Sequence, residues 1–357
     1  MEERVTSKQF NVGIIGWGRI GAVHVEAWDA LGDARVVAAC DSSAAAREDA
    51  AKKGLAVFSD PQSMLDAVQL DAVSICAPPN QHQPLAEVCF EKGVAVLCEK
   101  PLAADGASAT ALVESAHRHH ARFQLATKFR HVPELQRARQ LMADGAIGEP
   151  LTFRIEFAGP VDMSQRWNSD PSFSGGGVLI DNGSHALDLT RFLFSTIDNV
   201  MAVSLKAVQK LQVEDSALLL VSTEGGVTGK IMLSWSMRPA DQDYVVIQGA
   251  KGQIAVGWKE SWLRVDGQAP EQIGSGYDKN VSHRRMMTMF REFALGDGPG
   301  WITEEEALSS ALVTDAAYQS MRSERWVKVE ASKVPGLKRS AESEAYSRLR
   351  LVAGRGR

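Results

Sequence analysis

Asn11-Val12-Gly13-Ile14-Ile15-Gly16-Trp17-Gly18-Arg19-Ile20-Gly21 reads as a short buried strand, a glycine-rich turn and the start of a helix. The spaced glycines serve different ends. Gly16 permits a sharp turn, Gly18 lets a pyrophosphate approach the backbone, and Gly21 lets the helix pack close to the strand. Trp17, Arg19 and Ile20 complete the turn. Because glycines recur by chance, the pattern needs context: a strand before, a helix after and an acidic residue about 20 positions on. The helix reads Arg19 to Leu31, and a second apolar strand, 35–40, ends at Asp41. A carboxylate there accepts hydrogen bonds from both ribose hydroxyls of an adenosine and repels a 2′-phosphate. The stretch is read as a dinucleotide site with NAD favoured over NADP, with Arg47 near enough in sequence to turn toward a phosphate. Capping helix 44–53 is a second role open to Asp41.

Outward from this stretch, strands and helices alternate to about residue 128. Strands are expected at 70–76, 94–98 and 123–126, with helices at 61–68, 84–92 and 107–118. Continuous apolar strands alternating with helices indicate a parallel sheet covered on both faces. Ligands bind such sheets beyond the carboxyl ends of the strands. The candidate residues therefore fall at Gly16–Gly21, Asp41, Ala77–His82, Glu99–Pro101 and Lys128–Pro133.

The pattern changes after Gly148-Glu149-Pro150. A strand is expected at 151–157, an irregular stretch at 158–177 and a helix at 178–194. Strand-like runs follow at 199–208, 216–223, 227–235, 243–249 and 253–258, with tight turns at 224–226 and 250–252. Consecutive strands with such turns imply an antiparallel sheet. Helices return at 284–295 and 303–323, the second opening on a Thr303/Glu306 capping box. The expected fold is an α/β Rossmann dinucleotide-binding domain, 1–128, and an α+β C-terminal domain, 129–331, with an open, mainly antiparallel sheet. The basic tail 332–357 reads as a solvated end.

Composition narrows the function classes. The chain of 357 residues is 45% hydrophobic and 23% charged, with a net charge of −5. That balance suits a soluble globular protein and offers no footprint for nucleic acid or an anionic membrane. No run approaches a membrane span, and Met1–Phe10 lacks an apolar signal region. Cys40, Cys76, Cys89 and Cys98 follow no metal spacing; Cys40, Cys76 and Cys98 end apolar runs and read as small buried residues of a reducing, cytoplasmic compartment. His117, His119 and His120 suit a polar helix end better than a metal site. No metal is expected.

Two further segments carry chemistry. Lys100 follows a buried strand, where the nicotinamide end of a cofactor would lie. Beside a positively charged ring it loses some preference for its proton and can assist a substrate hydroxyl. In Gly175-Gly176-Gly177…Asp181-Asn182-Gly183-Ser184-His185…Asp188, helical spacing puts Asp181, His185 and Asp188 on one side. One carboxylate can orient the imidazole while the other faces substrate, and His185 can shuttle a proton near neutral pH. Gly183 would let a ligand come close. The plainer alternative makes Asp181 a helix N-cap and His185 a core histidine.

These residues resemble the glucose–fructose oxidoreductase / inositol dehydrogenase / rhizopine-catabolism family of nicotinamide-dependent sugar and cyclitol dehydrogenases. The resemblance runs from about Asn11 to Val329. It rests on the ordered set Gly16–Gly21 with His24, Ala77-Pro78-Pro79-Asn80-Gln81-His82, Glu99-Lys100-Pro101, Lys128–Pro133 and Gly175…Asp188. It implies a catalytic set of Lys100, Asp181 and His185. It also implies cofactor contacts at Ala77, Pro78, Asn80 and His82, joined by Glu99 and Lys100 at the neighbouring strand end. Arg130 matches an arginine near substrate; Arg166, Trp167 and Asn182 are further substrate candidates. The implied substrate is a sugar, cyclitol or sugar derivative, and the open sheet implies a homodimer or homotetramer. Ala77 departs from the threonine many members carry, and 161–173 follows no family pattern. Trp235, Tyr244 and Tyr277 are expected in the core. The alternative is a catalytically inactive, dinucleotide-binding sensor of the same fold.

Overall fold

The computed structural model describes residues 9–239, 241–330 and 334. The tail at 332–357 otherwise lies outside the described residues.

The first half comprises β1 (Phe10–Ile15), α1 (Arg19–Asp29), β2 (Ala34–Cys40), α2 (Ala44–Lys52), β3 (Ala56–Phe58), α3 (Pro61–Ala67), β4 (Ala72–Ile75), α4 (His82–Glu91), β5 (Ala95–Glu99), α5 (Gly106–Arg118) and β6 (Phe123–Ala126). The second comprises α6 (Pro133–Ala143), β7 (Pro150–Ala158), α7 (Pro171–Ser174), α8 (Val178–Leu193), β8 (Ile197–Ser204), β9 (Ser216–Thr223), β10 (Thr228–Ser234), β11 (Asp243–Gly249), β12 (Gly252–Gly257), β13 (Ser261–Val265), β14 (Glu271–Gly274), α9 (Lys279–Leu295), α10 (Glu304–Ser323) and β15 (Val327–Lys328).

Two compact units result. The first runs to Ala103 and includes Ala111–Ala126 and His283–Ile302; the second holds Ala104–Thr110, Thr127–Ser282 and the chain from Thr303. Among the described residues the first unit carries a six-stranded sheet in the order β3-β2-β1-β4-β5-β6. All its pairings are parallel. The strand order reverses at β1 and β4, which places the ends of those strands at the sheet's switch point. Sequence reading assigned 283–302 to the second domain. These residues pack into the first unit because Met286, Met287 and Phe290 are fully buried in its core. Phe290 meets Trp28 edge-on, with ring centroids 6.1 Å apart.

The second unit carries a nine-stranded sheet, β14-β13-β12-β11-β7-β10-β9-β8-β15. It is mixed: β7 pairs parallel with β10, and the other pairings are antiparallel. Period-two burial along β9 puts Ala217, Leu219 and Val221 into the core with Leu179, Ala186, Leu187 and Leu189 of α8. Trp235 and Tyr244 are buried in that core as expected, with Tyr277 packed against it. The Thr303/Glu306 capping box forms at the start of α10. The four cysteines are buried and unpaired; burial pushes the Cys40 and Cys89 thiols up to about 12. Among the described residues no helix is long and apolar enough to cross a membrane.

Candidate active site

In the first unit the turn after β1 has the form its glycines demand. Gly16 adopts φ +94°, and a Cβ on it would stand 2.6 Å from the Ala77 amide nitrogen. A Cβ on Gly21 would stand 2.5 Å from the Gly16 carbonyl. Neither position tolerates a side chain without moving backbone. A Cβ on Gly18 would meet no atom within 4 Å. Gly18 is also the N-cap of α1, and no side chain caps that helix. The turn thus presents open space at a helix N-terminus, the arrangement that suits a pyrophosphate. The residues present fit a dinucleotide on this ground.

Asp41 closes the turn from β2. Its carboxylate accepts from the Trp17 amide at 2.7 Å and the Ser43 amide at 2.8 Å. It does not cap α2; Ser43 does. Arg47 donates to the Asp41 and Ser42 carbonyls at 2.8 and 2.9 Å, which binds it to the backbone and away from the role considered for it in sequence. The Trp17 side chain is buried, with its indole N–H on Asp49 at 2.9 Å.

His82 takes a different place from the one its sequence position suggested. It is fully buried. Its ring nitrogens lie 2.9 Å from the Ala77 carbonyl and 3.1 Å from the Leu102 carbonyl. Burial lowers its pKa. It braces the turns after β4 and β5, whereas Ala77, Pro78 and Asn80 stay partly accessible. Glu99, at the end of β5, is buried too. Its Oε1 accepts from His24 Nε2 at 2.9 Å and its Oε2 from the Lys100 amide at 3.1 Å. Lys100 is half-buried.

In the second unit α8 carries Asp181, Asn182 and His185, all half-buried. Its N-cap is Gly177, so Asp181 lies within the first turn and is no cap. His185 packs edge-on against Phe129 at 4.9 Å. Phe129 in turn stacks on Tyr277 at 5.3 Å and lies 6.4 Å from Trp258. This aromatic wall was missed in sequence. Phe129, in the turn after β6, and Tyr277, in the loop between β14 and α9, are 148 positions apart, so no local pattern joins them. Asn182 donates to the Phe157 carbonyl at 3.2 Å.

Three expectations are corrected here. Asp188 takes neither role left open for it, orienting His185 or facing substrate; it accepts from Arg130 Nε and Nη2 at 3.0 and 2.7 Å. Arg130 is not held out toward a substrate; it is buried and also meets Glu306 at 3.3 Å. Burial disfavours its charge, but the two carboxylates outweigh that and hold its pKa above the ordinary value. Gly183 does not open a path for a ligand; a Cβ there would stand 3.2 Å from Leu179 and Leu233, so glycine lets α8 lie close on β10. Trp167 is exposed and Arg166 half-exposed on the short helical turns between β7 and α8.

The model for the oxidoreductase family with NAD-binding Rossmann fold matches residues 10–127, and that for the GFO/IDH/MocA C-terminal domain matches 135–255. The chain belongs to the GFO/IDH/MocA oxidoreductase family. D-apiose dehydrogenase of Paraburkholderia graminis is 32% identical over 258 residues, 70% of this chain and 68% of the relative. Inositol 2-dehydrogenase of Rhizobium meliloti is 27% identical over 341 residues, 89% and 98% of the two chains. A levoglucosan dehydrogenase solved with NADH shares the fold at a TM-score of 0.83 and 22% identity, over 91% of this chain and all of that one. The chain is an NAD-binding oxidoreductase of this family.

Proposed function

We propose that this protein transfers hydride between a secondary alcohol of a sugar, cyclitol or sugar derivative and nicotinamide, with NAD as the preferred cofactor, as a cytoplasmic homo-oligomer. The observation that carries the reading is the family match over both units, together with Asp181 and His185 set four apart on one helix beside an aromatic wall. Relatives are named for apiose, inositol and D-glucoside oxidation. Aromatic faces beside polar groups suit the C–H faces of a ring polyol.

NAD, when bound, supplies the acceptor for the hydride that leaves the carbinol carbon. The proposed roles of this chain's residues follow from their chemistry. The Gly16–Gly21 turn and the α1 N-terminus hold the phosphates, and Asp41 the adenosine ribose. Ala77, Pro78 and Asn80 line the cofactor, and His82 and Glu99 keep those turns in place. His185 takes the hydroxyl proton. Lys100 stabilises the developing alkoxide, and Asp181 binds the reacting hydroxyl. Asn182, Arg166 and Trp167 are the proposed substrate contacts. Arg130 is left out because its guanidinium is committed to Asp188 and Glu306.

The test is absorbance at 340 nm with NAD⁺ or NADP⁺ and a panel of aldoses, inositols, anhydrosugars and sugar acids. A rise with one compound that is lost in Lys100→Met and His185→Ala is expected, with NAD⁺ the better partner. Full turnover in both variants overturns the assignment. Tight NADH binding with no rise for any compound points to a nucleotide- or phosphate-linked substrate outside the panel, or to the sensor.

A further inference from the structure

α8 starts without a side-chain cap of its own, because its N-cap is Gly177. The unpaired N–H groups of a helix start need acceptors from elsewhere. Here one residue from the loop before β9 meets three in succession. The Gly177 N–H points at the two Glu214 carboxylate oxygens, at 3.1 and 3.2 Å. The Leu179 N–H donates to Glu214 Oε1 at 3.0 Å, and the Val178 N–H to the Glu214 carbonyl at 2.9 Å. The Tyr318 hydroxyl, from α10, donates to the same Oε1 at 2.9 Å and lies 3.2 Å from the Gly177 nitrogen.

The glycines of Gly175-Gly176-Gly177 make room for this grip. A Cβ on Gly175 would strike the Ala104 carbonyl, one on Gly176 the Tyr318 hydroxyl, and one on Gly177 the Glu214 backbone. The loop that carries Glu214 is itself fixed by the next residue. Asp215 Oδ2 accepts from the Val208 and Gln209 amides at 2.9 and 2.7 Å and from the Ser236 hydroxyl at 2.7 Å. An anion at this end also opposes the positive end of the α8 dipole. Burial raises the Glu214 carboxyl, while the Leu179, Tyr318 and Gly177 hydrogen bonds pull the other way. The Asp181 N–H donates to the Gly177 carbonyl at 3.1 Å, so Asp181 sits one turn above the gripped residues and His185 one turn further.

We infer that Glu214, oriented by Tyr318, is a positioning residue that sets the place of Asp181 and His185 for proton transfer. The inference rests on the reading of those two residues given above. It is tested in the full-length protein with Glu214→Gln, Tyr318→Phe and His185→Ala. One readout is kcat per NADH-binding site with the best panel compound. The other is the His185 ring resonance in ¹³C-histidine-labelled protein, identified by its loss in His185→Ala. Gln keeps the size of Glu214 but turns one acceptor into a donor facing N–H groups. Glu214→Gln is expected to shift the His185 resonance and lower kcat about 10- to 100-fold, since misplacement on the order of 1 Å costs about a hundredfold. The NADH dissociation constant is expected to stay unchanged, because the proposed cofactor contacts lie in the other unit. Tyr318→Phe is expected to do the same to a smaller extent, about threefold, and it decides the matter if Glu214→Gln does not fold. A lower melting temperature with unchanged kcat and unchanged resonance makes Glu214 a stabilising cap only and overturns the inference. Retained turnover in His185→Ala overturns the catalytic reading instead, and the resonance still shows whether Glu214 positions the helix.

Discussion

Glu99 shows how one residue couples stability to the site. Burial pushes its carboxyl up, but the His24 hydrogen bond and the charges of His24, Lys100 and His283 overcome this and bring it from 4.5 to about 2. The carboxylate is more acidic in the folded chain than in the unfolded one. Its contribution to stability is therefore full above the unfolded value, near 4.5, and is lost as pH falls through about 2. Linkage puts that contribution on the order of 3 kcal/mol. Glu99→Gln mimics the protonated state. The stability gap between wild type and Glu99→Gln, measured by urea unfolding, is expected to be present at pH 5 and to close as pH falls from about 4.5 toward 2. A gap that does not change with pH would show that the His24–Glu99 contact carries no net charge stabilisation. In sequence, Glu99 was legible as a polar residue at a strand end. Its partner was not, because His24 lies 75 positions earlier and meets it only when β1 and β5 flank β4.

α8 is held at both ends. Glu214 grips its first turn, and Arg130 grips Asp188 in its second half. Arg130 also meets Glu306, which caps α10, so one guanidinium ties two helices and the turn after β6. Removing one partner from a buried pair leaves an uncompensated charge, at about 3–5 kcal/mol. Arg130→Met is therefore expected to lower the unfolding free energy by about that much. Arg130→Met with Asp188→Leu is expected to recover part of it, as followed by denaturant melts. A variant with unchanged stability and a raised KM would restore Arg130 to the substrate. The helix itself was legible from its apolar period, and so were most strands. Six elements escaped: β3, α7 and β15, each no more than four residues long; α6, whose Leu135, Ala138, Leu141 and Met142 do show helical spacing; and β13 and β14, where polar residues blur the alternation. The pairing of Arg130 with Asp188, 58 positions apart, is a tertiary fact that no local pattern encodes.

At the largest scale, the alternation that revealed the second sheet also leaves an apolar patch on one of its faces, bordered by polar residues such as Lys230. Core-facing residues of β8, β9 and β10 pack with α8, so their intervening neighbours point the other way. Leu218 stands opposite Val203 on one side and Met232 on the other; Leu220 stands opposite Met201 and Lys230. Leu220 is 42% exposed and Val203 39%. Cross-strand neighbours on one face form a continuous surface, and contiguous apolar surface of this kind marks association sites. A face built from one chain's own sheet pairs most simply with the same face of a second copy, the closed arrangement that suits a dimer. Light scattering on the purified protein is therefore expected to give a mass of at least two chains. Leu220→Glu places a charge in the middle of that patch, which a partner face cannot solvate. It is expected to reduce the mass to a smaller species while leaving the far-UV circular dichroism intact, because Leu220 touches solvent and not the core. A wild-type mass of one chain, or an unchanged assembly in Leu220→Glu, would remove this face from the interface and leave the apolar row to be explained by something other than self-association.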